Sequence, residues 1–217
     1  YQDYLDYATA LSPSLSSASG FWSGDTNVAV FYDQGTHKSF KPLVNLAKSL
    51  QEQKKQAIKD RAIGARELVR MADTLALLIE ISRENQDIEV VSHVCTHQMA
   101  GNTGLLPRHV MAPTWTHEGL ATYFETPNDA AWSGVGAVNE QRLDRYKALA
   151  NDKVHSSLDF IMTDEIFSLA ATNSSTLHGY GQAWALTHFL MERHFDKLID
   201  YYRRMGQMPP DSAFVSY

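Results

Sequence analysis

VSHVCTHQMAGNTGLLPRHVMAPTWTHEGLATYFE, residues Val91 to Glu125, holds two histidines one helical turn apart, His93 and His97. After twenty intervening residues it reaches Glu118 in the string W-T-H-E-G-L-A. On a helix, residues four apart point about 40° from each other, so these two imidazoles can converge on one cation. A helix over residues 87–100 gathers Ile88, Val91, Cys95 and Met99 into a sector of roughly 80°. That pattern predicts a core stripe on one side and turns His93 and His97 away from the core. Asn102 and Gly104 predict a helix stop, Pro107 and Pro113 a reversal of the chain, and Thr114 or Thr116 the start of a second helix over about 115–125. Glu118 falls in the first turn of that helix, where its carboxylate can supply a third ligand and leave a fourth tetrahedral position open.

Moving outward, the front of the chain is different. Residues 11–24, LSPSLSSASGFWSG, read as a Ser- and Gly-rich loop. Asn27 to Tyr32, NVAVFY, reads as a strand, and Asp33 to Thr36 as the turn that ends it. From about Pro42 the apolar spacing becomes helical, through LVNLAKSLQEQKKQAIKD and then ARELVRMADTLALLIEISREN. The remainder alternates helices with Gly, Pro and Asn punctuation. The class is α+β: a small N-terminal sheet within a strand- and loop-rich part of about 1–45, an active-site helix, and a mainly helical part of about 46–217. With 217 residues, 44% of them apolar, the chain can bury a sizeable core and is most simply one domain over 1–217.

Composition excludes several classes of partner. A formal charge of −6 with no dense basic run beyond Lys54, Lys55, Lys59 and Arg61 argues against nucleic acid. No apolar run reaches the roughly 18 residues needed for a membrane span, and the first residues lack the layout of an export signal. The chain opens on Tyr1 and closes on Tyr217, so it reads as a piece of a longer precursor. Any export signal to the periplasm or extracellular space would then lie outside it. The single cysteine, Cys95, allows no internal disulfide framework.

With 9 histidines in 217 residues, about 0.4 pairs at this spacing arise by chance, so the pair alone is weak evidence. The longer pattern is more specific. A helix V-x-H-E-x-x-H-Q, then N-x-G-L, then P-x-W-x-x-E-G-L-A-x-Y-F-E, and later Y-x-Q-x-W-A-L-x-x-F-L is the pattern of a bacterial family of uncharacterised domains in the peptidase-MA-like branch of the gluzincins. This chain resembles that family at His93, His97 and Gln98, at Asn102, Gly104 and Leu105, and from Pro113 and Trp115 through Glu118 to Glu125. It does so again from Tyr180 through Gln182 and Trp184 to Leu190. Phe21, Trp22 and the NVAVFYDQG segment are similar to the family's hairpin before the active-site helix.

The resemblance implies a zincin-like, thermolysin-like fold, one zinc ion held by His93, His97 and Glu118, and a protein or peptide as substrate or ligand. It implies that Tyr180 stands near the open coordination position, where it can stabilise an oxyanion; packing beside Trp184 and Phe189 is the alternative. Glu125 reads either as an acceptor for an imidazole N–H or as an exposed helix carboxylate. Thr122 stands where relatives often carry an acid.

One departure from the pattern outweighs these details. Val94 occupies the position of the glutamate that takes a proton from the attacking water and passes it to the leaving amine. Valine has no lone pair for either step, and loss of positioned acid–base help costs roughly 10² to 10⁴ in rate. Cys95 lies on the expected core stripe and His117 directly precedes a ligand, so neither reads as a substitute. Three functions stay open: a metal-binding pseudopeptidase or impaired zinc metallopeptidase that acts on or recognises protein or peptide; an active metallopeptidase using another base such as Glu89, Glu125 or a second water; and a helical interaction domain without metal.

Overall fold

No proline or glycine interrupts residues 65–100, and nothing in that run breaks a helix. In the computed structural model, which describes residues 1–125, 136–168 and 176–209, this run becomes one 39-residue helix, Ala65–Thr103. The helical pattern that ends in ISREN and the helix expected over 87–100 are thus one continuous element. Helices before and after it are α1 (Gln2–Leu11), α2 (Lys41–Lys59), α4 (Thr114–Phe124), α5 (Glu140–Ala148), α6 (Leu158–Met162), α7 (Thr176–Arg193) and α8 (Phe195–Met205), the long helix being α3. Strands β1 (Gly20–Ser23) and β2 (Val28–Phe31) form a two-stranded antiparallel sheet. The chain is mostly helical with this small sheet, as an α+β class requires.

Two differences from the sequence reading concern the front. Gly20–Ser23 is a strand although it ends the Ser-rich loop, because Phe21 is buried and the Val28–Phe31 strand pairs with it. Gln2–Leu11 is a helix within the part expected to be strand- and loop-rich. Its Tyr4 and Ala8 are buried, and the Tyr4 hydroxyl donates to the Ala18 carbonyl at 2.8 Å.

The chain divides into two compact units, Tyr1–Gly20 with Phe31–Ile88, and Phe21–Val30 with Glu89–Tyr217. In the first, α2 runs beside the early part of α3, where the Gln51 amide donates to the Ala72 carbonyl at 3.4 Å and Lys54 pairs with Asp73 at 2.5 Å. Gln34, 4% exposed, donates its backbone N–H to Asp87 at 2.8 Å and its amide to Ser19 and Tyr32 carbonyls.

In the second unit the core is built from Ala100, Leu106, Trp115, Leu120, Phe160, Ile161, Ile166, Ala183, Leu198, Tyr202 and Met205. Helices α4 and α7 approach closely because Gly119 offers no side chain: a Cβ there would meet the Thr187 hydroxyl and lie 2.7 Å from the Ala183 carbonyl oxygen. Gly181 serves α5 and α7 in the same way, since its Cβ would lie 2.8 Å from the Tyr146 backbone nitrogen.

The expected core stripe on α3 is overturned. Met99 is 66% exposed and Ile88 38%, whereas Val94 at 2% and Ala100 at 4% are buried. The inward face is therefore the histidine face. Paired polar groups can be buried at low cost, and the carboxylates opposite His93 and His97 supply the pairing that hydropathy alone does not register.

Candidate metal centre

Helix α3 delivers His93 and His97 from successive turns, with ring centroids 4.7 Å apart. It ends at Thr103, and Gly104 takes a φ of 76° as the chain turns back. Helix α4 begins at Thr114, where the backbone N–H donates to both Asp164 carboxylate oxygens at 2.9 Å and the hydroxyl to one of them at 3.0 Å. Fifty residues separate that cap from the helix it starts, so no local signal announced it. The Tyr202 hydroxyl donates to the Thr116 carbonyl at 3.2 Å. The Thr122 hydroxyl donates to the Glu118 carbonyl at 2.6 Å. Glu118 lies in the second turn of α4, one turn later than expected.

The three side chains meet. His93 Nε2 and His97 Nε2 are 3.0 Å apart, and Glu118 Oε2 lies 3.2 Å from the first and 3.8 Å from the second. Around a tetrahedral ion with bonds of roughly 2.0–2.1 Å, ligand atoms stand about 3.3 Å from one another. From the three observed distances, a point about 2.05 Å from each donor lies about 0.6 Å out of their plane, close to the tetrahedral value of about 0.7 Å. Glu118 Oε2 is also buried with no hydrogen-bond partner. A buried carboxylate oxygen left so is costly, and a cation would resolve it. The group His93, His97 and Glu118 can thus hold a metal ion.

Electrostatics match this geometry. Burial alone would lower the His93 pKa, but the close carboxylates of Glu118 and Glu125 outweigh it and raise the value to about 9. Burial lowers His97 to about 4, with His93 and His117 acting in the same direction. Glu118 is held below the ordinary carboxylate range: burial opposes this, and the adjacent histidines, His93 foremost, prevail.

Around the three donors, Glu125 is 3% exposed, so the exposed-carboxylate reading is corrected. Its Oε1 lies 2.6 Å from His93 Nδ1, and its Oε2 accepts from Arg142 Nε at 2.8 Å. Arg142 also donates to Glu89 Oε1 at 2.9 Å. Burial and the charge of Glu125 raise Glu89, against the pull of Arg142. Tyr180 stands edge-on to His93 with centroids 6.1 Å apart, under the Arg142 guanidinium at 5.5 Å. Burial, followed by Glu118, pushes its hydroxyl pKa upward. Val94 is buried beside the pair and brings no polar group.

Cys95 is half-buried and outside the donor group. The His117 ring, set aside in the sequence reading, lies 6.4 Å from that of His97, and burial lowers its pKa. Arg142 carried no signal in the sequence. It sits in the polar string EQRLDRYKA, and only the packing of α5 shows that it is 6% exposed.

Residues 87–211 match the model of a family described as Protein of unknown function (DUF1570). No curated protein and no solved structure matches the chain.

Proposed function

The chain belongs to the DUF1570 family, and from the convergence of His93, His97 and Glu118 we propose that it is a zinc-holding pseudopeptidase: a zincin-like domain that recognises protein or peptide and has lost efficient hydrolysis. The single observation that carries this reading is the triangle of donor atoms at 3.0, 3.2 and 3.8 Å. Two imidazoles and one carboxylate, with a fourth position open, form a donor set zinc accepts in catalytic sites. Zinc bound there would act as a Lewis acid toward a carbonyl oxygen.

The loss of hydrolysis is argued from the chain's own groups. Val94 cannot move a proton. Glu125 is held by His93 and Arg142, and Glu89 by Arg142, so the two carboxylates proposed as substitute bases are engaged elsewhere. In this reading Tyr180 would donate its hydroxyl proton to a ligand near His93; its ring stands edge-on to that imidazole, and its raised pKa keeps the proton in place.

The test is metal analysis of protein purified without added ions, paired with cleavage of a peptide library. Near-stoichiometric zinc with no chelator-sensitive cleavage is expected, and Val94→Glu should raise cleavage by roughly 10² or more. Zinc below a tenth of an equivalent would sink the metal reading and favour an interaction domain. Cleavage by the unaltered chain that disappears in His97→Ala would instead make it a working peptidase.

A further inference from the structure

We propose that Arg142 is a positioning residue of the metal centre, acting through Glu125 to fix which nitrogen of His93 faces the ion. The proposal rests on the metal reading above and extends it to a residue outside the donor triangle.

Glu125 has two oxygens and each has one task. Oε1 lies against His93 Nδ1 at 2.6 Å, and Oε2 accepts from Arg142 Nε at 2.8 Å. The other arm of the guanidinium donates to Glu89 Oε1 at 2.9 Å, one turn before His93 on α3. Its flat face covers Tyr180, which in turn stands against the His93 ring. A single buried cation therefore contacts three groups gathered around His93.

The arginine is itself anchored. Asn139 accepts the Arg142 backbone N–H at 3.1 Å through its side-chain oxygen, and its amide donates to the Glu125 carbonyl at 3.4 Å. The start of α5 thus grips both the backbone and the side chain of the residue that ends α4.

A carboxylate torsion is broad and roughly two-fold, so an untethered Glu125 could turn either oxygen, or neither, toward the imidazole. The planar fork of Arg142 removes that freedom by fixing Oε2. Oε1 then meets Nδ1, which must carry the hydrogen, and the Nε2 lone pair is left facing His97 and Glu118. Lysine could satisfy one carboxylate as a point charge but not hold both in plane. Without a cation there, Glu89 and Glu125 would face each other across a poorly solvated gap, and the His93 ring would lose its orientation.

The experiment compares unaltered protein with Arg142→Gln, Glu125→Gln and the double variant. Zinc affinity is read by competition with a chromophoric chelator, and the His93 Nδ1 proton is followed by NMR in zinc-loaded protein. Each single change should weaken zinc roughly 10- to 100-fold, and Arg142→Gln should broaden or abolish the Nδ1 proton signal. If Arg142 acts through Glu125, the double variant should be no more than about threefold weaker than the worse single one. Losses that multiply, or zinc affinity and Nδ1 signal unchanged in Arg142→Gln, would overturn the proposal while leaving the metal reading intact. Unaltered protein that takes up no zinc would instead show that the metal reading had failed, and this proposal with it. Arg142→Lys, expected to recover part of the affinity and the Nδ1 signal, carries the same comparison if Arg142→Gln does not fold.

Discussion

Protons and a metal ion compete for His93, and the structure sets how strongly. In the metal-free protein His93 titrates at about 9 and His97 at about 4, while Glu118 is held ionised. Across pH 6 to 9 only His93 must therefore give up a proton when the ion enters. Apparent zinc affinity should rise about tenfold per pH unit until it levels near 9, roughly 500-fold over that range. Stability of the metal-free chain should run the other way. His93 is raised above its unfolded value of 6.5, so its contribution is full below 6.5 and is lost as pH climbs through 9. His97 is depressed, so its contribution is present above 6.5 and is lost as pH falls toward 4. These two groups place the stability maximum of the metal-free protein near pH 6.5. Calorimetric zinc titrations in buffers of different ionisation enthalpy count the released protons, and thermal melts with and without zinc give the two stability trends. One proton released near pH 7.5 is expected. Two protons, none, or an affinity flat from pH 6.5 to 8.5 would refute the reasoning, because each implies that His93 and His97 do not face the carboxylates as described.

Other outcomes follow from packing. Gly119→Ala drives a methyl group into the Thr187 hydroxyl and the Ala183 carbonyl, and should destabilise the fold by about 1–3 kcal/mol in urea unfolding, with zinc affinity falling as α4 shifts from α7. Asp164→Ala frees the Thr114 N–H at the start of α4 and should cost about 1 kcal/mol in the same assay, with Asp164→Asn recovering part of it. Val94→Glu places a carboxyl at a site 2% exposed, so the metal-free melting temperature should fall while zinc affinity holds within a fewfold. Zinc lost altogether in that variant would refute the expectation that a carboxyl fits at position 94 without displacing His93, His97 or Glu118.

What the residues determined by themselves is local and periodic. The spacing of His93 and His97 puts both imidazoles on one face of any helix, whatever surrounds it, and Gly104 and Pro113 bound the turn that returns the chain with Glu118. Which face of that helix points inward was not local. Hydropathy favoured Ile88, Val91, Cys95 and Met99, but the carboxylates of Glu118 and Glu125 turn the histidine side inward and leave Met99 in solvent. The same is true of the support around the site. Arg142 reaches Glu125 across 17 residues and Glu89 across 53, and Asp164 caps α4 from 50 residues away. Buried charges and helix ends need partners, yet the sequence does not say from where along the chain each partner comes. Only the packing of α4, α5 and α7, made close by Gly119 and Gly181, brings them together.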